Sequence, residues 1–486
     1  MTLSLMLQGT GSDVGKSVLV AGLCRALVRR GMSVRPFKPQ NMSNNAAVTE
    51  DGGEIGRAQA LQAIACGIEP TVHMNPVLLK PQSDIGAQIV VHGKVTGTGG
   101  TSYFREKKTE LLSKVIESFN ILKDQADIVI VEGAGSPAEV NLRANDIANM
   151  GFAEATNTPV ILIGDIDRGG VIASIIGTYE LLSATEKKLT KGYVINKFRG
   201  DVSLFDDALV VMTERTKWKN IGVLPFITAV KKLPAEDAVV LDHDKEEQNH
   251  NLIIAVPMLS RIANFDDLDP LMLEPDVDVR FVKPGSPLPC EADLVIIPGT
   301  KSTLSDLKFF KNQGWDIDLY AHVRRGGKVL GICGGYQMLG ETVSDKQGIE
   351  GIEGSQKALG LLNVNTEMMP EKSVCKTAAY CPSLDCETTG YEIHMGETIG
   401  GDTKRPFLEK DNIPLGAMSE NGNIAGVYVH GLFIDDNFRA KFLSQFRNGQ
   451  YRKMAFMTQV EKALDTLADE MEVHLDIDEM LRMASE

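Results

Sequence analysis

The chain has 486 residues, 43% of them hydrophobic and 24% charged, which is the composition of a soluble globular protein with enough length for two or more domains. This excludes wholesale disorder and collagen-like or coiled-coil architecture. With 50 basic against 65 acidic residues the formal charge is −15. That balance argues against a general binder of nucleic acid or anionic membrane, and leaves room for one local basic site.

In chain order, the opening run 1–7 is too short and lacks the basic lead of a signal peptide. Apolar runs at 3–7, 33–37, 127–131, 159–163, 193–195 and 221–224 read as buried strands, and helical periodicity over 18–29 and 110–122 lies between them. Buried strands alternating with helices predict a parallel sheet covered on both faces. The rhythm breaks over 228–251, where Pro234 and a polar run mark a domain edge and a linker at 236–250. New strands follow at 252–256, 293–297, 328–332 and 426–429. From about Phe433 the chain reads as mostly helical, ending in an acidic amphipathic stretch over 459–483 that suits a capping or interface helix. The expected division is therefore 1–235, a linker, 251–441 and a helical segment 442–486. No apolar run approaches the ~20 residues that span a bilayer. Seven scattered cysteines, an odd number, predict reduced thiols in a cytoplasmic protein. Cys375, Cys381 and Cys386 cluster without the pairing of common zinc sites.

The run Gln8-Gly9-Thr10-Gly11-Ser12-Asp13-Val14-Gly15-Lys16-Ser17 lies between the first strand and the first helix. Glycines there let backbone N–H groups approach phosphates, Lys16 brings charge to the β and γ oxygens, and Ser17 offers a hydroxyl to Mg²⁺. The spacing departs from the usual phosphate-loop pattern, since Thr10 stands where its first glycine is expected. Polar residues end the later strands, where open parallel sheets bind ligands. They are Lys38, Glu132 before Gly133-Ala134-Gly135, and Asp165 and Asp167 before Arg168-Gly169-Gly170. A carboxylate in the position of Glu132 suits a metal, directly or through water.

In the second half, Leu330-Gly331-Ile332-Cys333-Gly334-Gly335 ends a strand and starts a helix. A nucleophile between glycines on such a turn is a nucleophile elbow, with N–H groups beyond it for an oxyanion. A helix N-terminus favours a thiolate in general, and the nucleophile needs a base. His430 follows the 426–429 strand and is the expected base. His394, in Gly390-Tyr391-Glu392-Ile393-His394-Met395-Gly396, is expected to be structural or to face substrate. A phosphate loop and a Cys–His site in one chain imply coupled chemistry. One domain releases ammonia from an amide, and the other uses ATP to activate a carboxylate that the ammonia attacks.

Several runs carry a resemblance over nearly the whole chain, to about Phe438. In the first half they are Phe37-Lys38-Pro39-Gln40-Asn41-Met42-Ser43-Asn44-Asn45, Gly53-Glu54-Ile55-Gly56-Arg57-Ala58-Gln59, Met74-Asn75-Pro76 through Pro81, Glu132 through Asn141, and Ile195 through Asp201. The second half adds Asn264-Phe265-Asp266-Asp267-Leu268-Asp269 and the Cys333 and His430 runs. The chain resembles the glutamine-hydrolysing cobyric acid synthase family, with a dethiobiotin-synthetase-like ATP domain and a class I glutamine amidotransferase domain. The resemblance implies an α/β fold of two doubly wound domains, P-loop NTPase-like and then flavodoxin-like. It implies a carbon–nitrogen ligase of cobalamin biosynthesis. That enzyme amidates four peripheral carboxylates (b, d, e and g) of adenosylcobyrinic a,c-diamide, with ATP, Mg²⁺ and L-glutamine.

Carried over by residue, Gly9, Thr10, Gly11, Gly15, Lys16 and Ser17 would bind the ATP phosphates, and Ser17, Glu54 and Glu132 would neighbour Mg²⁺. Lys38 would stabilise the transferring phosphate, Cys333 would be the glutaminase nucleophile and His430 its base. The segments 41–45 and 165–170 would face the corrinoid, with Arg57 and Arg168 meeting its carboxylates. No nucleic-acid or membrane partner is expected, and a homo-oligomer is left open. One departure stands out. Many glutamine amidotransferases place a glutamate two residues after the histidine, and here that residue is Leu432. The third member of the site is unassigned, and neither Asp435 nor Asp436 has a geometric claim to it.

Four alternatives share parts of this pattern. Cobyrinic acid a,c-diamide synthase has the same two domains, but the 41–45 and 165–170 runs favour the cobyric acid enzyme. The cell-wall amidotransferases usually divide the activities between two chains. A partitioning-type ATPase carries a second lysine early in the loop, where this chain has Gly11, and a non-catalytic module would lack glutaminase activity.

Overall fold

The computed structural model describes residues 2–82, 86–234, 252–351, 353–446 and 454–486. Its first half is built on six parallel strands. Their spatial order is Lys219–Pro225, Thr190–Phe198, Val160–Asp165, Leu3–Gly9, Ile128–Glu132, Val34–Phe37. Successive residues of a strand point to opposite faces, so both faces of this sheet must be apolar. Leu5, Leu7, Ile128 and Ile130 pack on one face with helix α1 (Lys16–Arg29), while Met6, Val129 and Val131 pack on the other with Phe37, Phe119 and Phe152.

The C-terminal helices Phe456–His474 and Ile477–Ala484 return across the whole chain to the α1 face. This close approach requires glycine at position 22, because a Cβ there would lie 2.5 Å from Met471 Sδ. The amphipathic stretch expected at 459–483 thus has the first sheet as its destination. The expected linker 236–250 lies outside the described residues.

Two small additions on the first half carry site residues. A four-stranded sheet runs Gln40–Met42, Val77–Pro81, Ala87–Val91, Lys94–Gly99, and Ala46–Val48 pairs with Glu54–Gly56 as a hairpin. Helix α2 (Arg57–Cys66) leaves that hairpin.

The second half has its own sheet, ordered Val277–Val282, Leu252–Pro257, Leu294–Ile297, Lys328–Ile332, Ile424–Val427, Gly416–Met418. All its pairings are parallel except that of the Gly416–Met418 edge. A further, mainly antiparallel sheet is dominated by Val364–Cys381 and Cys386–Gly400. Its strand Val429–His430 delivers the histidine. This sheet was not anticipated from the sequence. Its long strands alternate exposed and buried residues over much of their length instead of forming solid apolar runs. All seven cysteines are free thiols.

The halves meet through the hairpin and the antiparallel sheet. Ala46, Val48, Leu78 and Val90 pack against Tyr391 and Ile393. The N–H of Ala46 donates to Asn264 Oδ1 at 3.0 Å.

Candidate active site

At the phosphate loop, Gly15 has φ 96°, and a Cβ there would lie 2.4 Å from Asn196 Nδ2. Both facts require glycine just before α1. Lys16 is buried and donates to the carbonyls of Gly11 (2.8 Å) and Gly135 (3.2 Å), so its ammonium spans the loop. Glu132, fully buried, gathers the other side chains. Oε1 accepts from Ser17 Oγ at 2.7 Å and Lys38 Nζ at 2.8 Å, while Oε2 accepts from Gln62 Nε2 at 2.6 Å and Gln59 Nε2 at 3.3 Å. The structure therefore brings together Lys16, Ser17, Lys38 and Glu132, which sequence reasoning named. It adds Gln59 and Gln62, which that reasoning missed and which lie one helical turn apart on α2.

Glu54 is set apart from this group, contrary to the expected Ser17–Glu54–Glu132 metal set. One of its oxygens pairs with Lys80 at 2.9 Å and the other with Lys372 of the second half. Burial opposes its charge, but the two ammonium groups outweigh that and hold the carboxyl down at about 2. A carboxylate occupied by two lysines is a poor metal ligand. Ser17 and Glu132 offer hard oxygens beside the loop and suit Mg²⁺, which characteristically takes one or two protein oxygens and completes its shell with phosphate and water. Among the described residues, no group of three His, Cys, Asp or Glu side chains could hold a metal by itself.

Asp165 accepts from Lys197 Nζ at 2.7 Å and from the Asp167 N–H at 2.9 Å, and Asp167 pairs with Arg199 at 2.7 Å. Arg168 is well exposed. Arg57, expected to meet substrate carboxylates, has a mostly buried side chain whose guanidinium pairs with buried Asp266 at 3.0 Å. Within 41–45, Asn41 and Asn45 are buried, Met42 is exposed, and Asn44 lines the cavity at Cys333.

At the second site, Cys333 ends its strand with φ 52° and ψ −108°, a strained backbone that aims the side chain off the strand–helix turn. A Cβ on Gly335 would lie 2.0 Å from the Ile297 carbonyl oxygen, so only glycine lets the turn close onto the neighbouring strand. Burial disfavours charge on His430. The carboxylate of Asp267 and the Cys333 sulfur outweigh it, and push the imidazole up to about 10. Asp267 Oδ2 is 2.7 Å from His430 Nδ1, and Oδ1 accepts the Gly431 N–H at 2.6 Å. Asp267 is thus the third member that the sequence left unassigned. A charged imidazole held beside a cysteine is the arrangement that activates a thiol.

His394 is engaged otherwise. Its Nε2 meets Glu392 at 3.1 Å, its Nδ1 meets the Gly396 carbonyl at 3.0 Å, and its ring stacks on Tyr428. A cavity of about 40 Å³ lies against Cys333 and His430, lined from the first half by Asn44 and Lys80 and from the second by Lys301, Glu350 and Lys372. Burial lowers Lys301, lowers Lys372 to about 7 and raises Glu350 to about 7. Sequence reasoning missed these residues. Lysines and a glutamate scattered over strands and turns far apart in sequence carry no local signal of a shared cavity.

Comparison with known proteins agrees with this geometry. Residues 5–240 match the model for the CobQ/CobB/MinD/ParA nucleotide binding domain, and residues 253–438 match that for the CobB/CobQ-like glutamine amidotransferase domain. The chain is 56% identical to a cobyric acid synthase of Sinorhizobium sp, over 99% of this chain and 100% of that one. It is equally identical to the cobyric acid synthase of Brucella suis over the full length of both, and to that of Rhizobium meliloti over 98% of each. Among the described residues no helix is long and apolar enough to cross a membrane. The chain belongs to the cobyric acid synthase family, a family of glutamine amidotransferase-type ligases.

Proposed function

We propose that this member of the cobyric acid synthase family amidates the b, d, e and g carboxylates of adenosylcobyrinic a,c-diamide in the cytoplasm, with L-glutamine as nitrogen donor and ATP as activator. One observation carries the reading: a Cys333–His430–Asp267 group and a Lys16–Ser17–Lys38–Glu132 group occur in one chain, on domains that share a boundary. Residues 1–235 form the amide synthetase unit, with the C-terminal helices docked on it, and 251–441 the glutaminase unit.

At the glutaminase, the Cys333 sulfur attacks the side-chain amide carbon of glutamine. The N–H groups that follow it receive the developing oxyanion. His430, charged and held by Asp267, donates its proton to the leaving nitrogen, and ammonia departs. Water then adds to the thioester. His430 takes the water's proton, the carbon–sulfur bond breaks and glutamate leaves. At the synthetase, the loop N–H groups and Lys16 hold the triphosphate, and Lys38 neutralises charge on the group in transfer. Mg²⁺ would be held by Ser17 and Glu132 and would supply charge neutralisation. The substrate carboxylate oxygen attacks the γ-phosphorus of ATP, the bond to the β–γ bridging oxygen breaks, and ADP leaves as the acyl phosphate forms. Ammonia attacks the acyl carbon, phosphate leaves, and the amide remains after loss of a proton. The exposed turn 167–170 and Met42 are parts of the two corrinoid segments open to a large substrate.

The experiment is mass spectrometry of the corrinoid after incubation with ATP, Mg²⁺ and glutamine. Stepwise replacement of four carboxyl OH groups by NH₂ supports the reading. Glutamine hydrolysis without any change in the corrinoid refutes the substrate assignment.

A further inference from the structure

The glutaminase acid is not held by its own domain alone. Asp266 and Asp267 are consecutive, both are buried, and both face the catalytic histidine's surroundings. Asp267 binds His430 and the Gly431 N–H. Asp266 Oδ2 accepts from Tyr391 OH at 3.4 Å, and the Tyr391 ring stacks on His430 at 5.4 Å and 19°. Two adjacent buried carboxylates repel, and without a cation one of them takes a proton or moves. The cation at 3.0 Å from Asp266 is Arg57, which belongs to the phosphate-loop domain.

Arg57 is itself well fixed. It is the first residue of α2, its N–H donates to the Asn45 carbonyl at 3.2 Å, and the N–H of neighbouring Ala46 donates to Asn264 Oδ1 just ahead of the acid pair. Farther along α2, Gln59 and Gln62 bond Glu132. The first two turns of the helix that presents Arg57 thus touch the synthetase carboxylate through Gln59 and Gln62 and the glutaminase acids through Arg57.

We infer that the glutaminase site is completed across the domain boundary, with Arg57 as the positioning residue that holds Asp266 and Asp267, and through them His430, in working geometry. This rests on the proposed glutaminase chemistry, and its test reads glutamine hydrolysis separately from corrinoid amidation.

The test compares full-length wild type, Arg57→Met, Arg57→Lys, Asp267→Asn and the Arg57→Met/Asp267→Asn double variant. Arg57→Met is expected to lower the kcat of glutamine hydrolysis about tenfold or more, with KM for glutamine within about twofold, because orientation and not substrate binding is lost. Arg57→Lys should recover part of the rate, since it restores the charge without the fork. In the Asp267→Asn background, Arg57→Met should add little, because both act through the same histidine. ATP-dependent amidation fed with ammonium chloride should stay near wild type.

An unchanged kcat in Arg57→Met overturns the inference. So does a full, multiplicative effect in the double variant, or parallel loss of the ammonia-fed reaction. If Arg57→Met does not fold, Arg57→Gln, which removes the charge but keeps a polar head that can donate to Asp266, carries the same expectations with a smaller loss. Failure of wild type to amidate the corrinoid would refute the proposed substrate while the hydrolysis comparison still decides the role of Arg57.

Discussion

Replacing Asp267 by asparagine changes one atom in shape and removes the two-acceptor character on which His430 depends. The aspartate accepts at both oxygens, from the Gly431 N–H at 2.6 Å and from His430 Nδ1 at 2.7 Å. Asparagine has one acceptor and one donor. If its oxygen keeps the Gly431 bond, its NH₂ faces Nδ1. The imidazole must then carry its proton on Nε2 and cannot accept one there from the thiol or from water. If the amide turns over, two N–H groups face each other in a buried site, at a cost of about 1–3 kcal/mol. The lost carboxylate also removes the main support for the charged ring, which stands at about 10 with Cys333 contributing part. Removing one partner of a buried ion pair costs about 3 kcal/mol or more, which is ~100-fold in glutaminase kcat if the charged ring is that much less stabilised in the transition state. A purely tautomeric block, as in serine proteases, would reach about 10⁴.

Glutamate release followed over pH measures both the loss and its origin. The imidazolium donates the proton to ammonia, so activity falls as pH rises through the folded pKa, near 10 in the wild type. In Asp267→Asn that alkaline limb moves to lower pH. The linked stability has the same sign, because the contribution of a raised histidine is present below the ordinary value near 6.5 and is lost as pH rises through about 10. A variant that keeps kcat within about threefold, or whose alkaline limb stays in place, would show that Asp267 does not orient His430.

Cys333→Ala should abolish glutamine use and leave amidation by free ammonia; loss of both activities would assign Cys333 to folding or to the synthetase instead. Glu132→Gln should have the opposite pattern, with ammonia-fed amidation down about 100-fold or more and glutamine hydrolysis retained, since the amide withdraws charge from Ser17 and Lys38. Glu54→Gln leaves Lys80 and Lys372 buried without their carboxylate, and should destabilise by about 3 kcal/mol, read as a lowered thermal midpoint at pH 7. Because the Glu54 carboxyl is depressed, its contribution is present above 4.5 and disappears as pH falls through about 2. The gap between wild type and variant should therefore narrow below pH 4.5, and a constant gap would contradict the ion-pair account.

The sequence revealed features whose physics is local. A phosphate loop needs glycines and a lysine at a helix start, and a nucleophile elbow needs a cysteine between glycines, all within ten residues. The six parallel strands announced themselves because a sheet covered on both faces requires unbroken apolar runs. Asp267 could not be read this way, since it meets His430 across 163 positions of sequence. A partial signal existed in Asp266-Asp267-Leu268-Asp269, three acids beside the apolar Phe265 and Leu268, which predicts buried carboxylates in need of cations. The identity of those cations is a tertiary fact. The resemblance implied substrate carboxylates as the partners of Arg57, and nothing near it in sequence points to Asp266.

The antiparallel sheet shows how a signal can be correct and still mislead. Pro370 argues against a strand, because proline cannot donate to a ladder. The strand Val364–Cys381 nevertheless passes through it, and its register with Cys386–Gly400 breaks between Met368 and Ser373, around the proline. Such a break releases a segment from pairing and re-aims its side chains. Lys372 lies in that gap and reaches Glu54 of the other domain. A regular ladder would commit Lys372 to one face of the sheet. Pro370 thus marks the irregularity that joins the two halves of the chain beside the cavity at Cys333.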